Sequence, residues 1–173
     1  MDSTTFATLV MACAPLVHPV TAHALVAVES GFNPNAIGVV GGALQRQPRN
    51  RDEAVATATA LQENGWNFSV GLSQINVGNF GRLGLTIPAA FDACGNLGAM
   101  QKIVGECFER ARSGEGTQRN LRRALSCYYS GNFTTDFRHG YVGRVVHAAG
   151  TFGTGVRGPP RTAVPVAPDR LPQ

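Results

Sequence analysis

Residues 19–36 read PVTAHALVAVESGFNPNA, a stretch that predicts a helix followed by an abrupt break. Pro19 suits the first helical position, where its missing N–H costs nothing. Val20, Ala24, Leu25 and Val28 recur at helical spacing. Gly31 falls just past the end, where a left-handed cap is expected. Glu29, four residues after Leu25, then projects from the edge of the apolar face in the last turn. There a carboxylate meets the negative end of the helix dipole beside Leu25, Val26 and Val28, and both features favour the protonated form. A glutamate held protonated is what a general acid requires. The bland alternative is a helix-end glutamate turned toward water.

Outward from this helix, residues 31–50 are rich in Gly, Pro and Asn, with a β-like stretch at Ile37 to Val40. Asn50 followed by Asp52 and Glu53 predicts a helix start, because acids in the first turn meet the positive dipole end. That helix runs to Asn64-Gly65 with Val55, Ala58 and Leu61 inward. WNFSVGLSQIN (66–76) reads as extended loop with a short strand. Residues 95–112 give the clearest helix, with Leu97, Met100, Ile103, Val104, Cys107, Phe108 and Ala111 on one face. Further helices fit 118–128, with Leu121, Leu125 and Tyr128 inward, and 136–149, with Phe137, Tyr141 and Val145 inward. From Gly150 the tail holds five prolines in 24 residues and no apolar period, which predicts an extended or disordered segment. The chain is therefore expected to be mainly α with a small β/loop insertion. It divides into an N-terminal segment (1–18), one domain (19–149) and a Pro-rich tail (150–173).

The composition of the 173 residues, 43% hydrophobic and 15% charged, supports a core and argues against disorder. No uncharged apolar run approaches the roughly 20 residues of a membrane-spanning helix. Fifteen basic against eleven acidic residues leave +4. The arginines cluster briefly at Arg46, Arg49 and Arg51 and at Arg119, Arg122 and Arg123, without interleaved aromatics, so no nucleic-acid partner is expected. A mildly basic surface also suits an anionic polymer. Cys13, Cys94, Cys107 and Cys127 lack metal-ligand spacing, and their three full pairings stay open. His18, His23, His139 and His147 show no metal spacing either and read as surface or capping residues. No metal and no cofactor are expected. Phe6 to Val17 is apolar enough for a short export-signal core, with Ala12-Cys13-Ala14 as a cleavage site. Yet no Lys or Arg precedes it and Asp2 has the wrong sign, so it reads equally as part of the fold or as the trace of a misplaced start.

Four strings then occur in order: ESGFNPNA (29–36), GLSQIN (71–76), CYYSG (127–131) and YVGRV (141–145). Together they resemble the soluble lytic transglycosylase family, whose goose-type lysozyme-like domain cleaves peptidoglycan. That family shows E-S, then G-L-x-Q, then A-Y-N-x-G, then a late Y-V. The long insert before GLSQIN and the CYYSGNF string resemble the branch that serves type IV secretion systems. The resemblance implies a lysozyme-like helical domain, peptidoglycan as substrate, secretion-system components as partners and a periplasmic location.

By that resemblance, Glu29 is the catalytic glutamate. It protonates the glycosidic oxygen between N-acetylmuramic acid and N-acetylglucosamine, then takes the proton of the muramoyl C6 hydroxyl as that oxygen attacks C1. The product is a 1,6-anhydro sugar made without water. A two-carboxylate glycosidase needs a partner acid about 5–9.5 Å away. Asp52, Glu53 and Glu63 read as surface charges, Asp92 as a helix cap and Asp136 as the start of the last helix, so the substrate's N-acetyl group is expected to take the partner's place. Gly71 and Leu72 let the backbone pass close to the sugar, Ser73 and Gln74 offer it hydrogen bonds, and Ser30 orients the carboxylate. Their alternative is a solvated polar turn. Tyr128 matches the A-Y-N tyrosine and Tyr141 the late one, where core packing and a hydroxyl aimed at Glu29 are equal alternatives. Tyr129 stands where the family commonly has Asn, and a phenol lacks the amide's paired donor and acceptor. The contact to the N-acetyl group is thus altered or made by backbone. A lysozyme-type hydrolase and a non-catalytic peptidoglycan-binding assembly factor are the rival readings.

Overall fold

The computed structural model describes residues 3–112, 116–134 and 140–152. Among them are eight α-helices: α1 Ser3–Cys13, α2 Pro19–Glu29, α3 Arg51–Glu63, α4 Phe80–Leu83, α5 Ile87–Ala90, α6 Ala93–Ala111, α7 Thr117–Ser130 and α8 Tyr141–Gly150. Strands β1 Ile37–Val39, β2 Phe68–Val70 and β3 Ile75–Asn76 form an antiparallel sheet in the order β1-β2-β3. Its register pairs Ile37 with Val70 and Val39 with Phe68, then Val70 with Ile75.

The long helix α6 organises the core. Asp92 starts it by accepting the Gly95 N–H at 2.8 Å, a side-chain cap for an otherwise unpaired donor. Of the expected inward residues, Leu97, Met100, Ile103, Val104, Cys107 and Ala111 are buried, while Phe108 is half-buried. Helices α7, α1 and α5 and strand β3 pack on it. Helix α2 lies against α1 and α8, and α7 also meets α8. Phe6 and Val10 of α1 are buried in this core. The last turns of α7, Ala124 to Ser130, are buried on every side, with Leu121 only half-buried.

Two expectations need correction. In α3 the buried residues are Ala54 and Ala58, whereas Val55 and Leu61 are half-buried. Helix α3 packs on α5, and its fully buried side chains are the small ones. His23 is half-buried, not a surface residue. Its ring meets Phe6 at 5.7 Å, Phe32 at 4.7 Å and Phe152 at 4.4 Å. Burial lowers its pKa, and its Nδ1 has no hydrogen-bond partner among the described residues. His18, by contrast, caps α2 through Nδ1, which accepts the Val20 N–H at 3.3 Å. The expected start of the last helix at 136, with Asp136, Phe137 and His139, lies outside the described residues, as does the tail beyond 152.

The cysteines pair as Cys13–Cys94 and Cys107–Cys127, with Cα separations of 5.0 and 5.7 Å. The first ties the end of α1 to the first turn of α6, the second α6 to α7. Their sequence separations are 81 and 20 residues. Loop-closure entropy then gives about 4.5 kcal/mol for the first and about 3 kcal/mol for the second. Urea unfolding of the two double-serine variants is expected to show the larger loss for Cys13/Cys94. Equal stability of oxidised and fully reduced protein would contradict this pairing.

Candidate functional site

Helix α2 ends at Glu29 for local reasons. Ser30 leaves the helical region at φ −129°, and Gly31 and Phe32 both take φ of 64°. The N–H groups of Ser30 and Gly31 turn back onto the Val26 carbonyl at 3.1 Å, pairing a carbonyl that the helix end would leave exposed. A left-handed φ is costly for phenylalanine. Its ring is held at 5.2 Å from Phe6 and 4.7 Å from His23, which offsets that cost. The Ser30 hydroxyl donates to the Val26 carbonyl at 3.4 Å, closing the helix end.

Glu29, half-buried, receives a hydrogen bond from the Tyr141 hydroxyl on Oε1 at 2.7 Å. Tyr141 is the first residue of α8 and is 1% exposed. One side chain thus fills the core with its ring and holds the carboxyl with its hydroxyl. The Tyr129 ring, from the buried end of α7, stacks on Tyr141 with centroids 4.5 Å apart and planes 17° apart. Glu29 of α2 is thus held by Tyr141 of α8, which in turn packs on Tyr129 of α7.

The segment GLSQ forms a tight turn between β2 and β3. Gly71 has φ 78°, and a Cβ there would lie 2.2 Å from Asn96 Nδ2 and 2.7 Å from the Ala90 carbonyl oxygen. No residue with a side chain fits. Leu72 is buried in the core. Gln74 is held at φ 50°, and its Nε2 donates to the carbonyls of Ala36 at 3.1 Å and Gly71 at 3.0 Å. Gly71 N–H also donates to the Ala36 carbonyl at 2.9 Å, so the loop that follows Glu29 is bonded to this turn at its far end. The Tyr128 hydroxyl donates to the Ser73 carbonyl at 2.6 Å. Ser73 itself is fully buried, and its Oγ has no hydrogen-bond partner among the described residues.

The structure thus brings the expected residues together in two groups. Glu29, Tyr141 and Tyr129 form one. Gly71, Leu72, Ser73, Gln74 and Tyr128 form the other, joined to the first through adjacent residues of α7 and through the 30–36 loop. Asn96 completes the second group and escaped the sequence reading. Its Nδ2 donates to the carbonyls of Val70 at 3.0 Å and Ala90 at 2.8 Å, and its Oδ1 accepts the Ser73 N–H at 2.7 Å. An asparagine inside the apolar face of α6, next to Leu97, was the available clue.

Several charged groups elsewhere are engaged in structural contacts. Glu53 pairs with Arg46 and accepts the Arg49 N–H at 2.8 Å. The hydrogen bond from Arg46, with that from Arg49 behind it, holds the Glu53 carboxyl below its ordinary range. Arg51 donates to the Pro88 carbonyl at 2.8 Å. Glu106 pairs with Arg82 and Glu109 with Arg112. The guanidinium groups of Arg110 and Arg123 lie 5.5 and 5.0 Å from the centre of the Phe133 ring. Among the described residues, no three His, Cys, Asp or Glu side chains are grouped to hold a metal ion, and no helix is long and apolar enough to cross a membrane.

Residues 8–146 match the transglycosylase SLT domain. Type IV secretion system protein virB1 of Brucella abortus (strain 9-941) is 49% identical over 151 residues, covering 83% of this chain and 63% of that protein. Protein virB1 of Agrobacterium fabrum (strain C58 / ATCC 33970) is 37% identical over 139 residues, covering 79% of this chain and 56% of its own length. The chain spans about three fifths of the length of these curated relatives. No solved structure matches it.

The turn geometry makes a stability prediction. Gly71→Ala forces a Cβ into Asn96 at a left-handed φ, and Asn96→Asp replaces an amide donor to two carbonyls with an acceptor. Each is expected to cost about 2–5 kcal/mol in urea unfolding. A loss below about 1 kcal/mol for both would show that the turn does not depend on this contact.

Proposed function

The chain belongs to the transglycosylase SLT domain family, and from that premise we propose that it is a peptidoglycan lytic transglycosylase with Glu29 as its acid and base. The observation that carries this reading is the Tyr141 hydroxyl on Glu29 Oε1 at 2.7 Å. It fixes a carboxyl that ends a helix at the position the E-S motif marks. A carboxyl held in one rotamer serves two successive proton transfers without moving.

The reaction begins with Glu29 donating its proton to the oxygen that links C1 of N-acetylmuramic acid to C4 of N-acetylglucosamine. The C1–O bond breaks, and N-acetylglucosamine leaves with a free C4 hydroxyl. Positive charge develops at C1, and the neighbouring N-acetyl oxygen of the substrate stabilises it. That role falls to the substrate on this reading, as the resemblance implies; Glu53, Glu106 and Glu109 are engaged with arginines and Asp92 caps α6. The C6 hydroxyl then attacks C1, and its proton returns to Glu29. One bond breaks, one forms, and no water enters, so donating the proton in the first step creates the base for the second.

The residues of the turn at Gly71 to Gln74 are buried, so on this reading the turn supports the site from inside rather than by side-chain contact with the glycan. Ser30, Leu72, Ser73 and Gln74 act by closing the helix end and locking the turn. Peptidoglycan fixes the place of work as the cell-wall space, the periplasm. The likeness to proteins named for a type IV secretion system supports a role in opening the wall for such a machine.

Mass spectrometry of digested peptidoglycan tests the reading. Wild type is expected to release muropeptides lighter by one water than those of a lysozyme digest. Glu29→Gln keeps the shape and removes the titrating proton, and is expected to lower turnover by about 10²–10⁴-fold. Predominantly reducing-end products would make the protein a hydrolase. Clearance by Glu29→Gln at the wild-type rate would remove Glu29 from the chemistry, and binding without turnover by wild type would leave an assembly factor.

A further inference from the structure

We propose that Tyr129 is a positioning residue for the reaction, acting through Tyr141 rather than by touching the glycan. The inference rests on the reading of Glu29 given above and concerns what keeps that carboxyl aimed. Tyr141 stands at the first position of α8, where the preceding residue, Gly140, is at φ 63° and offers no side-chain cap. A first-turn residue has fewer backbone hydrogen bonds holding it than one in a helix interior. The orientation of its ring must therefore come from packing.

Tyr129 supplies that packing. Its ring lies face to face with Tyr141 at 4.5 Å and 17°, and both side chains are almost wholly buried, 4% and 1% exposed. The stack blocks rotation of the Tyr141 ring plane on that side and fixes where its hydroxyl reaches Glu29. Tyr129 is itself held firmly. It sits in the stretch of α7 buried all round, next to Tyr128, whose hydroxyl is bonded to the Ser73 carbonyl, and two residues from Cys127, which is bonded to Cys107 of α6. The ring thus transmits the rigidity of the α6–α7 pair to a side chain at a helix start. An asparagine at this position has no aromatic face with which to do so. The departure from the A-Y-N pattern accordingly changes the task of the position, from contacting substrate to bracing the residue that holds the acid.

The test uses the intact purified protein with solubilised, uncross-linked glycan strands, and reads kcat and KM separately. Tyr129→Leu removes the stacking face but keeps an apolar side chain. It is expected to lower kcat about three- to tenfold, from the worth of an aromatic pair, with KM within about twofold. Tyr129→Phe restores most of that loss, because the ring and not the hydroxyl does the bracing. In the Tyr141→Phe background, Tyr129→Leu is expected to add almost nothing, since the two act through one hydrogen bond. A loss confined to KM, a Phe variant as impaired as the Leu variant, or independent losses in the double variant would each overturn the inference. Should Tyr129→Leu fail to fold, Tyr129→Met and the Phe variant carry the same comparison. Glu29→Gln separates the two levels: inactive Glu29→Gln with unchanged Tyr129→Leu sinks this inference alone, whereas active Glu29→Gln sinks the reading beneath it.

Discussion

The hydrogen bond from Tyr141 to Glu29 joins residues 112 positions apart, and most of the architecture serves to bring its two ends together. Glu29 needs α2 to stop where it does, which the left-handed pair Gly31 and Phe32 enforces. Tyr141 needs α8 to lie along α2, which their mutual packing provides. Both helices depend in turn on α6 and α7, clamped by Cys107–Cys127, and on α1, clamped to α6 by Cys13–Cys94. A single short hydrogen bond is aimed by long-range packing. Preorganisation of this kind is how a folded scaffold gains advantage over free carboxylic acid in water.

A second constraint governs the turn from Gly71 to Gln74. Its backbone adopts two left-handed conformations within four residues, a strained arrangement that persists only when its surroundings over-determine it. Asn96 supplies three hydrogen bonds from α6, Tyr128 one from α7, and Gln74 folds its own amide back onto two carbonyls. Side chains that are polar in the sequence are therefore spent inward, on the turn itself.

The sequence made the long amphipathic helices readable, because a lopsided apolar face such as that of α6 admits one interpretation. It also exposed the helix that ends on Glu29, through Pro19 at its start and Gly31 beyond its end. Features set by tertiary contact were less legible. The buried residues of α3 are Ala54 and Ala58, and small residues carry little weight in a reading by hydrophobic pattern. His23 lies among phenylalanines drawn from α1, the 30–36 loop and the end of α8, an enclosure that its neighbours in sequence do not announce. The disulfide pairs were one choice of three until the helices were placed. The role of Asn96 needed the strand and the turn that it bridges, and Tyr141 turned out to join the two alternatives offered for it, packing with its ring and bonding with its hydroxyl.

The central claim is that one clamped carboxyl moves a proton out and back while the substrate's own hydroxyl replaces water at C1. Brief digestion of peptidoglycan in water enriched with oxygen-18 addresses it directly, because the source of the new oxygen bond at C1 is recorded in the product. The account predicts released muropeptides that carry no label beyond that of an enzyme-free control. Incorporation of one labelled oxygen for every bond cleaved would show that water reaches C1, and would contradict it.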